Sequence, residues 1–142
     1  MASFTHRIQN LHQVGPVIEV VLMPSAIFLQ KVKIREPYVK NVKLLAMVDT
    51  GATGTVVSEG IPNALGLNPI GTTLINTPSS TNVNCNQFDV QILFPNNAGI
   101  ASIVITEAPL KGQHIQCLIG RDILRYGVFI YNGCDDSFTL SF

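Results

Sequence analysis

The segment LLAMVDTGATGTVVSEG, residues 44–60, runs from five consecutive apolar residues directly into Asp49, Thr50 and Gly51. The apolar run indicates a buried strand, and a second apolar β run resumes at residues 55–57. Turns that follow strands favour glycine and tolerate aspartate, so the triplet can be an ordinary turn. It can also be an acid held at the end of a rigid strand. The remainder of the sequence must decide between these two interpretations.

The composition indicates one folded domain with few charges. The chain has 142 residues, of which 46% are hydrophobic and 13% are charged. The charged share is about half of the usual value of about 25% for globular domains. Since so little polar surface is available, we expect some apolar surface to meet a partner, which favours an oligomer.

Charge, cysteine content and hydropathy exclude several functional classes. Nine basic residues balance nine acidic ones and no long basic run occurs, so we expect no nucleic-acid partner. No apolar segment approaches the roughly 20 residues of a membrane span, and the first residues lack the apolar core of a signal peptide. Three widely spaced cysteines are typical of reduced thiols that pack rather than bind metal. We therefore expect a cytoplasmic protein without membrane contact, metal or cofactor.

Strand signals dominate the chain. Apolar or alternating runs predict strands at residues 17–23, 26–34, 42–48 and 88–94, and the run at 42–48 is typical of a strand buried on both faces. The turn at 95–99 leads into a strand at 100–107. Asn132-Gly133 predicts a hairpin between residues 128–131 and the C-terminal run. Helix signals are limited to about one turn at 61–66 and about two turns at 120–127. The pattern predicts an all-β domain with two short helical insertions.

A second motif makes the first more specific. The sequence CLIGRDIL, residues 117–124, places two apolar residues before a glycine and a short helix. Together, AMVDTGATGTVVSE and LIGRDIL resemble the paired motifs of the retropepsins, the retrovirus-type aspartic proteases, and of their single-domain cellular relatives. The resemblance covers residues 17–142, and it implies a closed, barrel-like all-β fold with one or two short helices. We expect residues 1–16 to form a loosely ordered extension.

The resemblance implies an aspartic endopeptidase whose catalytic residue is Asp49. Peptide hydrolysis without a metal can use two carboxylates about 3 Å apart that share one proton, one activating water and the other protonating the substrate. The chain has a single Asp-Thr-Gly. The second Asp49 must therefore come from a two-fold partner, so we expect a homodimer that acts on an extended peptide or protein substrate.

Neighbouring residues acquire roles from the same resemblance. Thr50, Gly51 and Ala52 would form the supporting active-site turn, and Gly120, Arg121 and Asp122 would form the structural motif beneath it. Arg121 is expected to lack an ionic partner, because Thr53 replaces the aspartate that is usual in retroviral members. Arg121 and Asp122 can equally be the solvated start of a helix.

A flap that covers the substrate is expected between the two motifs, within residues 74–88. The expected substrate-contacting residues at its tip are Thr77, Pro78, Ser79, Ser80 and Thr81. The segment contains no glycine, unlike the glycine-rich flap tips of retroviral members.

Two other functional interpretations remain open from the sequence. The chain can be a catalytically silent retropepsin-like module that acts in dimerisation or peptide binding. It can also be an unrelated β-barrel in which Asp-Thr-Gly is only a turn. Dimerisation together with binding of statine-type inhibitors distinguishes the enzyme and the silent module from the unrelated barrel. Cleavage of a peptide then distinguishes the enzyme from the silent module.

Overall fold

A computed structural model of the chain describes residues 2–34, 38–77, 80–110 and 112–142. Within these ranges there are ten strands, β1 to β10: Ser3–Arg7, Val17–Pro24, Val42–Val48, Val56–Val57, Gly71–Thr77, Ser80–Leu93, Gly99–Glu107, Cys117–Ile119, Val128–Asn132 and Ser137–Ser141. The same ranges hold four short helices, α1 to α4: Leu11–Val14, Ala26–Val32, Ile61–Ala64 and Arg121–Leu124.

Seven of the strands form a sheet that closes on itself. Their order is β2-β3-β8-β4-β7-β6-β5, and β2 also pairs with β6 through Val21–Pro24. Six strands therefore complete a ring, and β5 extends from it as the outer strand of a hairpin with β6. The pairs β3–β8 and β4–β7 are parallel and the others are antiparallel. This architecture confirms the predicted closed, barrel-like all-β fold.

A second sheet brings the two ends of the described chain together. It has three antiparallel strands in the order β1-β10-β9. Phe138 and Leu140 on its inner face are fully buried and belong to the same apolar core as the barrel residues Ile18, Ile92 and Ile119. The strand signal in residues 3–7 is weak because Phe4 is their only strongly apolar residue. The expectation that residues 1–16 are loosely ordered is therefore wrong for β1, which is fixed by pairing with β10.

The structure confirms the predicted hairpin at Asn132-Gly133. It also confirms the strands predicted at residues 17–23, 42–48, 88–94 and 100–107. The predicted burial of residues 42–48 on both faces is wrong. Leu44, Ala46 and Val48 face the core, whereas Leu45 on the opposite face is 38% exposed. The core lies inside the barrel, so only alternate residues of β3 reach it.

The helices differ from expectation in number and length. Those predicted at 61–66 and 120–127 are present as α3 and α4, although α4 has one turn rather than two. Residues 26–34 were predicted as a strand, but Ala26–Val32 is helical. The Ser25 side chain accepts a hydrogen bond from the Phe28 N–H (3.2 Å) and caps this helix. Such an N-cap satisfies one of the free N–H groups of the first turn and favours the helix over a strand.

Candidate active site

Asp49 follows the last residue of β3, at the point where this strand lies beside β8. Its backbone N–H donates to the carbonyl of Ile119 (2.9 Å), and the preceding Val48 is buried. The position of the Asp49 backbone is thus fixed by two adjacent barrel strands. The side chain is half-buried, so its carboxyl group remains accessible from outside the barrel.

The turn after Asp49 folds back towards its carboxyl group. The Gly51 N–H donates to Asp49 Oδ1 (2.9 Å), and the Ala52 N–H donates to the Asp49 carbonyl (3.1 Å). A Cβ atom added to Gly51 would lie 3.1 Å from Asp49 Oδ1, closer than ordinary van der Waals contact. Glycine therefore allows the main chain to approach the carboxylate closely enough for the Gly51 N–H to donate to it. Thr50 is exposed at the tip of the turn.

Arg121 holds the turn from the opposite side. Its Nη1 donates to the Thr50 carbonyl (2.7 Å), its Nη2 donates to Thr53 Oγ1 (3.2 Å), and its backbone N–H donates to the Ala52 carbonyl (2.9 Å). The guanidinium thus contacts two neutral oxygens on this loop. An ion pair with residue 53 was not expected, because this residue is a threonine. The two sequence motifs meet in space, with Arg121 linking α4 to the Asp-Thr-Gly turn.

Gly120 lies directly beneath the same loop. An added Cβ atom would lie 2.5 Å from the Gly54 carbonyl oxygen and 3.1 Å from that of Ala52. The Gly120 N–H donates to the hydroxyl of Thr55 (3.1 Å). Only a residue without a side chain fits here, because any side chain would displace the backbone of the loop.

Asp122 accepts hydrogen bonds rather than facing solvent as a helix start. Its Oδ2 accepts from the Thr55 N–H (2.9 Å), and its Oδ1 accepts from the Thr55 hydroxyl (2.8 Å) and from the Ile123 N–H (2.9 Å). Thr55 is 1% exposed, so this pair joins the end of the Asp49 loop to α4 within the protein. Thr55 was not singled out from the sequence, because a threonine in an apolar β run carries no sign of a distant partner.

Thr55→Val is expected to destabilise the fold by about 2 kcal/mol, because it leaves the Gly120 N–H and one bond of the Asp122 carboxylate without their partner. Urea unfolding of the variant measures this change. Thr55→Ser should recover most of the loss. Thr53→Val serves as a comparison, because Thr53 is exposed and water can replace its hydroxyl as the partner of Arg121 Nη2. Its unfolding free energy should stay within about 0.5 kcal/mol of the wild type.

The expected flap coincides with a hairpin. Strands β5 and β6 are antiparallel neighbours. Their pairing begins with Gly71 opposite Gln87 and ends with Thr77 opposite Ser80. The register shifts between Ile75 and Thr77. Thr81 is exposed on β6. Pro78 and Ser79 lie outside the described residues.

The cysteines of the chain are free thiols, and two of the three are buried. Cys117 is fully buried on β8, and burial together with the nearby Asp122 carboxylate raises the pKa of its thiol to about 12. Burial, with smaller effects of Glu107 and Glu59, also raises the pKa of Cys85. Cys134 is exposed.

Iodoacetamide is expected to label Cys134 alone in the native protein, because alkylation requires an accessible thiolate. Intact-protein mass spectrometry should show one adduct natively and three in denaturant. Native labelling of Cys117 at the rate of Cys134 would contradict the buried position of β8.

The described residues contain no group of three His, Cys, Asp or Glu side chains placed to hold a metal ion. None of the helices in these ranges is long and apolar enough to cross a membrane.

Comparison with known proteins supports the fold. No protein-family model matches the chain, and no curated protein matches it either. Among solved structures, a retropepsin-like aspartic protease from Rickettsia conorii superposes with a TM-score of 0.51 at 18% identity, covering 87% of this chain and 90% of that one. The retroviral protease-like domain of Ddi1 from Leishmania major gives a TM-score of 0.49 at 12% identity, covering 89% of each chain. EIAV protease complexed with the inhibitor HBY-793 gives a TM-score of 0.44 at 17% identity, covering 79% of this chain and 86% of that one.

The resemblance found in the two sequence motifs is thus confirmed at the level of the fold. The chain has the fold of the retropepsin-like aspartic proteases.

Proposed function

We propose that this protein is an aspartic endopeptidase that works as a homodimer, with one Asp49 from each chain in a shared site. The observation that carries the proposal is the setting of the Asp49 carboxyl group. It is accessible, lies at the end of a barrel strand, and accepts a hydrogen bond from the Gly51 N–H in a turn that Arg121 holds. An ordinary strand-to-turn aspartate does not require a second motif, some 70 residues away, to fix the loop beneath it.

The chemistry follows from two carboxyl groups that share one proton. The ionised Asp49 accepts a proton from water as the water oxygen attacks the peptide carbonyl carbon, and the protonated Asp49 of the second chain donates its proton to the carbonyl oxygen. The resulting tetrahedral diol then collapses. Its C–N bond breaks while the amide nitrogen receives the proton held by the dyad and one hydroxyl of the diol gives its proton to the other carboxylate. The products are an amine and a carboxylic acid, and the two carboxyl groups again share one proton.

The β5–β6 hairpin is the proposed cover of the substrate. An extended peptide can pair its backbone with the neighbouring strands, so that affinity comes from main-chain hydrogen bonds. In this proposal the end of the hairpin, where Thr77 pairs with Ser80 and Thr81 follows, reaches the peptide.

The direct test is cleavage of a peptide library, read by mass spectrometry, with and without a statine-type inhibitor. Cleavage that the inhibitor blocks supports the enzyme. Inhibitor binding without any cleavage would support a silent peptide-binding module, and neither binding nor cleavage would contradict both.

Specific activity is expected to fall on dilution, because one chain supplies half of the dyad. Below the dimer dissociation constant the rate per chain should decrease in proportion to the dimer fraction measured by sedimentation. A monomer that retains full specific activity at assay concentration would contradict the shared site.

A further inference from the structure

Basic residues are concentrated in one short part of the chain. Residues 31–43 contain five of the nine lysines and arginines but only one of the nine acidic residues, so the rest of the chain has four basic and eight acidic residues. Lys31, Lys33, Lys40 and Lys43 are exposed, and none of them forms an ion pair with another described residue. This segment therefore presents positive charge to the solvent on a chain whose net charge is zero.

Exposed apolar side chains are interspersed with these lysines. Ile27, Val32 and Ile34, on and just after α2, are 54%, 45% and 39% exposed, and Tyr38 is 81% exposed. Helix α2 contributes no buried residue, although five residues of its sequence, AIFLQKV, are apolar. Exposed apolar surface of this kind marks a place where a protein meets a partner or a membrane.

Helix α2 and the segment before β5 form one continuous surface. Ile27 and Lys31, one helical turn apart, line a hollow together with Ile70, which is 61% exposed. Lys40 lies beside the same segment, since a Cβ atom added to Gly66 would lie 3.5 Å from its Nζ. Two exposed aliphatic side chains and two ammonium groups thus lie close together. We define the α2 surface as Ile27, Lys31, Lys40 and Ile70.

The α2 surface lies at the end of the barrel away from Asp49. Strands β2 and β3 are antiparallel, with Leu22 opposite Val42, so β2 ends and α2 follows where β3 begins. Asp49 comes after the other end of β3, and the seven residues of this strand span roughly 20 Å. A partner that contacts the α2 surface therefore leaves the Asp-Thr-Gly turn accessible.

We propose that the α2 surface binds the surface of an anionic lipid membrane. The lysines meet the negative headgroups, and Ile27 and Ile70 enter the boundary between the headgroups and the acyl chains, as the apolar side of a membrane-surface helix does. The attraction of one lysine to an anionic membrane is worth about a fivefold change in affinity. The expectation of no membrane contact rested on the length of apolar segments, which tests for a membrane span and not for a surface helix.

The composition of this surface favours a membrane over a protein partner. Protein–protein interfaces are enriched in aromatic residues and arginine and depleted in lysine. The α2 surface has the reverse composition, with lysines and aliphatic side chains. Tyr38 does not distinguish the two, because tyrosine occurs in both kinds of interface. The Asp89 carboxylate also lines the hollow, but it accepts the Ser102 hydroxyl (2.7 Å), and it is a single negative charge against the lysines.

The test is co-sedimentation of the protein with vesicles of phosphatidylcholine, with and without about 30% phosphatidylserine. We expect the wild type to bind the anionic vesicles only, and to be released at about 1 M salt, where the attraction is screened. Lys31→Gln should lower the partition coefficient about fivefold, and Lys31→Gln with Lys40→Gln at least tenfold. Arg125→Gln is the matched control, because it removes the same charge from an exposed residue outside the α2 surface. It should change the partition coefficient less than twofold.

Ile70→Ser tests whether apolar side chains enter the membrane. We expect the partition coefficient to fall about fivefold, because part of the burial of this side chain is lost. Leu74→Ser is its control, since Leu74 on β5 is 63% exposed, almost the same as Ile70, and lies outside the α2 surface. It should bind vesicles like the wild type.

Three results would overturn the membrane surface: no binding to anionic vesicles, equal losses from Lys31→Gln and Arg125→Gln, or an Ile70→Ser variant that binds like the wild type. Binding of polyglutamate that depends on Lys31, without any binding to vesicles, would assign the surface to an acidic protein instead. Asp49→Asn should bind vesicles like the wild type, so vesicle binding is decided independently of the proposed hydrolysis.

Discussion

Asp49→Asn is expected to lower the rate of peptide hydrolysis by a factor on the order of 10³ or more, because an amide can neither accept the proton of water nor share one with the second carboxyl group. The fold should persist, since asparagine keeps the volume and can accept the Gly51 N–H bond through its amide oxygen. The measurement is kcat/KM on a peptide found in the library screen, with unfolding curves to confirm equal stability.

Asp89→Asn is the matched control for this experiment. Asp89 lies on β6 and accepts a hydrogen bond from the Ser102 hydroxyl (2.7 Å), away from the Asp49 loop in the sequence. Its kcat/KM should match the wild type. Turnover by Asp49→Asn within tenfold of the wild type would show that the chemistry lies elsewhere.

Gly120→Ala is expected to destabilise the protein by about 2–3 kcal/mol, the upper part of the range for overpacked sites. The backbone of Gly120 is extended, at φ −91° and ψ −177°, so alanine costs nothing in conformation. The cost arises because the new methyl group would lie 2.5 Å from the Gly54 carbonyl oxygen, which must move together with the loop after Asp49. Since a displacement of about 1 Å can cost an enzyme 10²-fold in rate, kcat/KM should fall as well.

Gly54→Ala distinguishes this clash from a general intolerance of the loop. A Cβ atom at Gly54 would have Asp122 Oδ2 as its nearest neighbour at 3.9 Å, an ordinary contact. Its unfolding free energy should change by less than about 1 kcal/mol. Equal destabilisation by both variants would contradict the close packing of Gly120 beneath the loop.

The sequence predicts the barrel well where one pattern dominates. The alternation of Phe88, Val90, Ile92 and Phe94 predicts one buried face for β6 and the residue that follows it, and these four side chains are at most 4% exposed. The sequence predicts a strand where α2 lies, because the partial alternation of apolar residues in 26–34 was given more weight than the helix N-cap signal before it. Ser25 after Pro24 is a favourable N-cap, and this signal was available in the sequence.

The site was predictable to the extent that its residues belong to motifs. Asp49, Gly51, Gly120 and Arg121 were singled out, and the structure brings them together. The Thr55–Asp122 pair was not foreseen as a contact, because single residues 67 positions apart carry no pattern that relates them. The partners of Arg121 were also hidden, since a backbone carbonyl is present in every residue and leaves no mark in the sequence.

The joining of the two motifs has a consequence for the order in which the protein folds. The side-chain hydrogen bonds between them connect residues 65 to 71 positions apart, and the parallel pair β3–β8 spans a similar distance. Contacts between segments so far apart require the loop-closure entropy to be paid first, so they form late. A chain that is still folding has Asp49 but not the arrangement around it. Under the proposed function, newly synthesised chains acquire hydrolytic activity only after the rest of the barrel has formed, which limits premature cleavage of neighbouring unfolded chains.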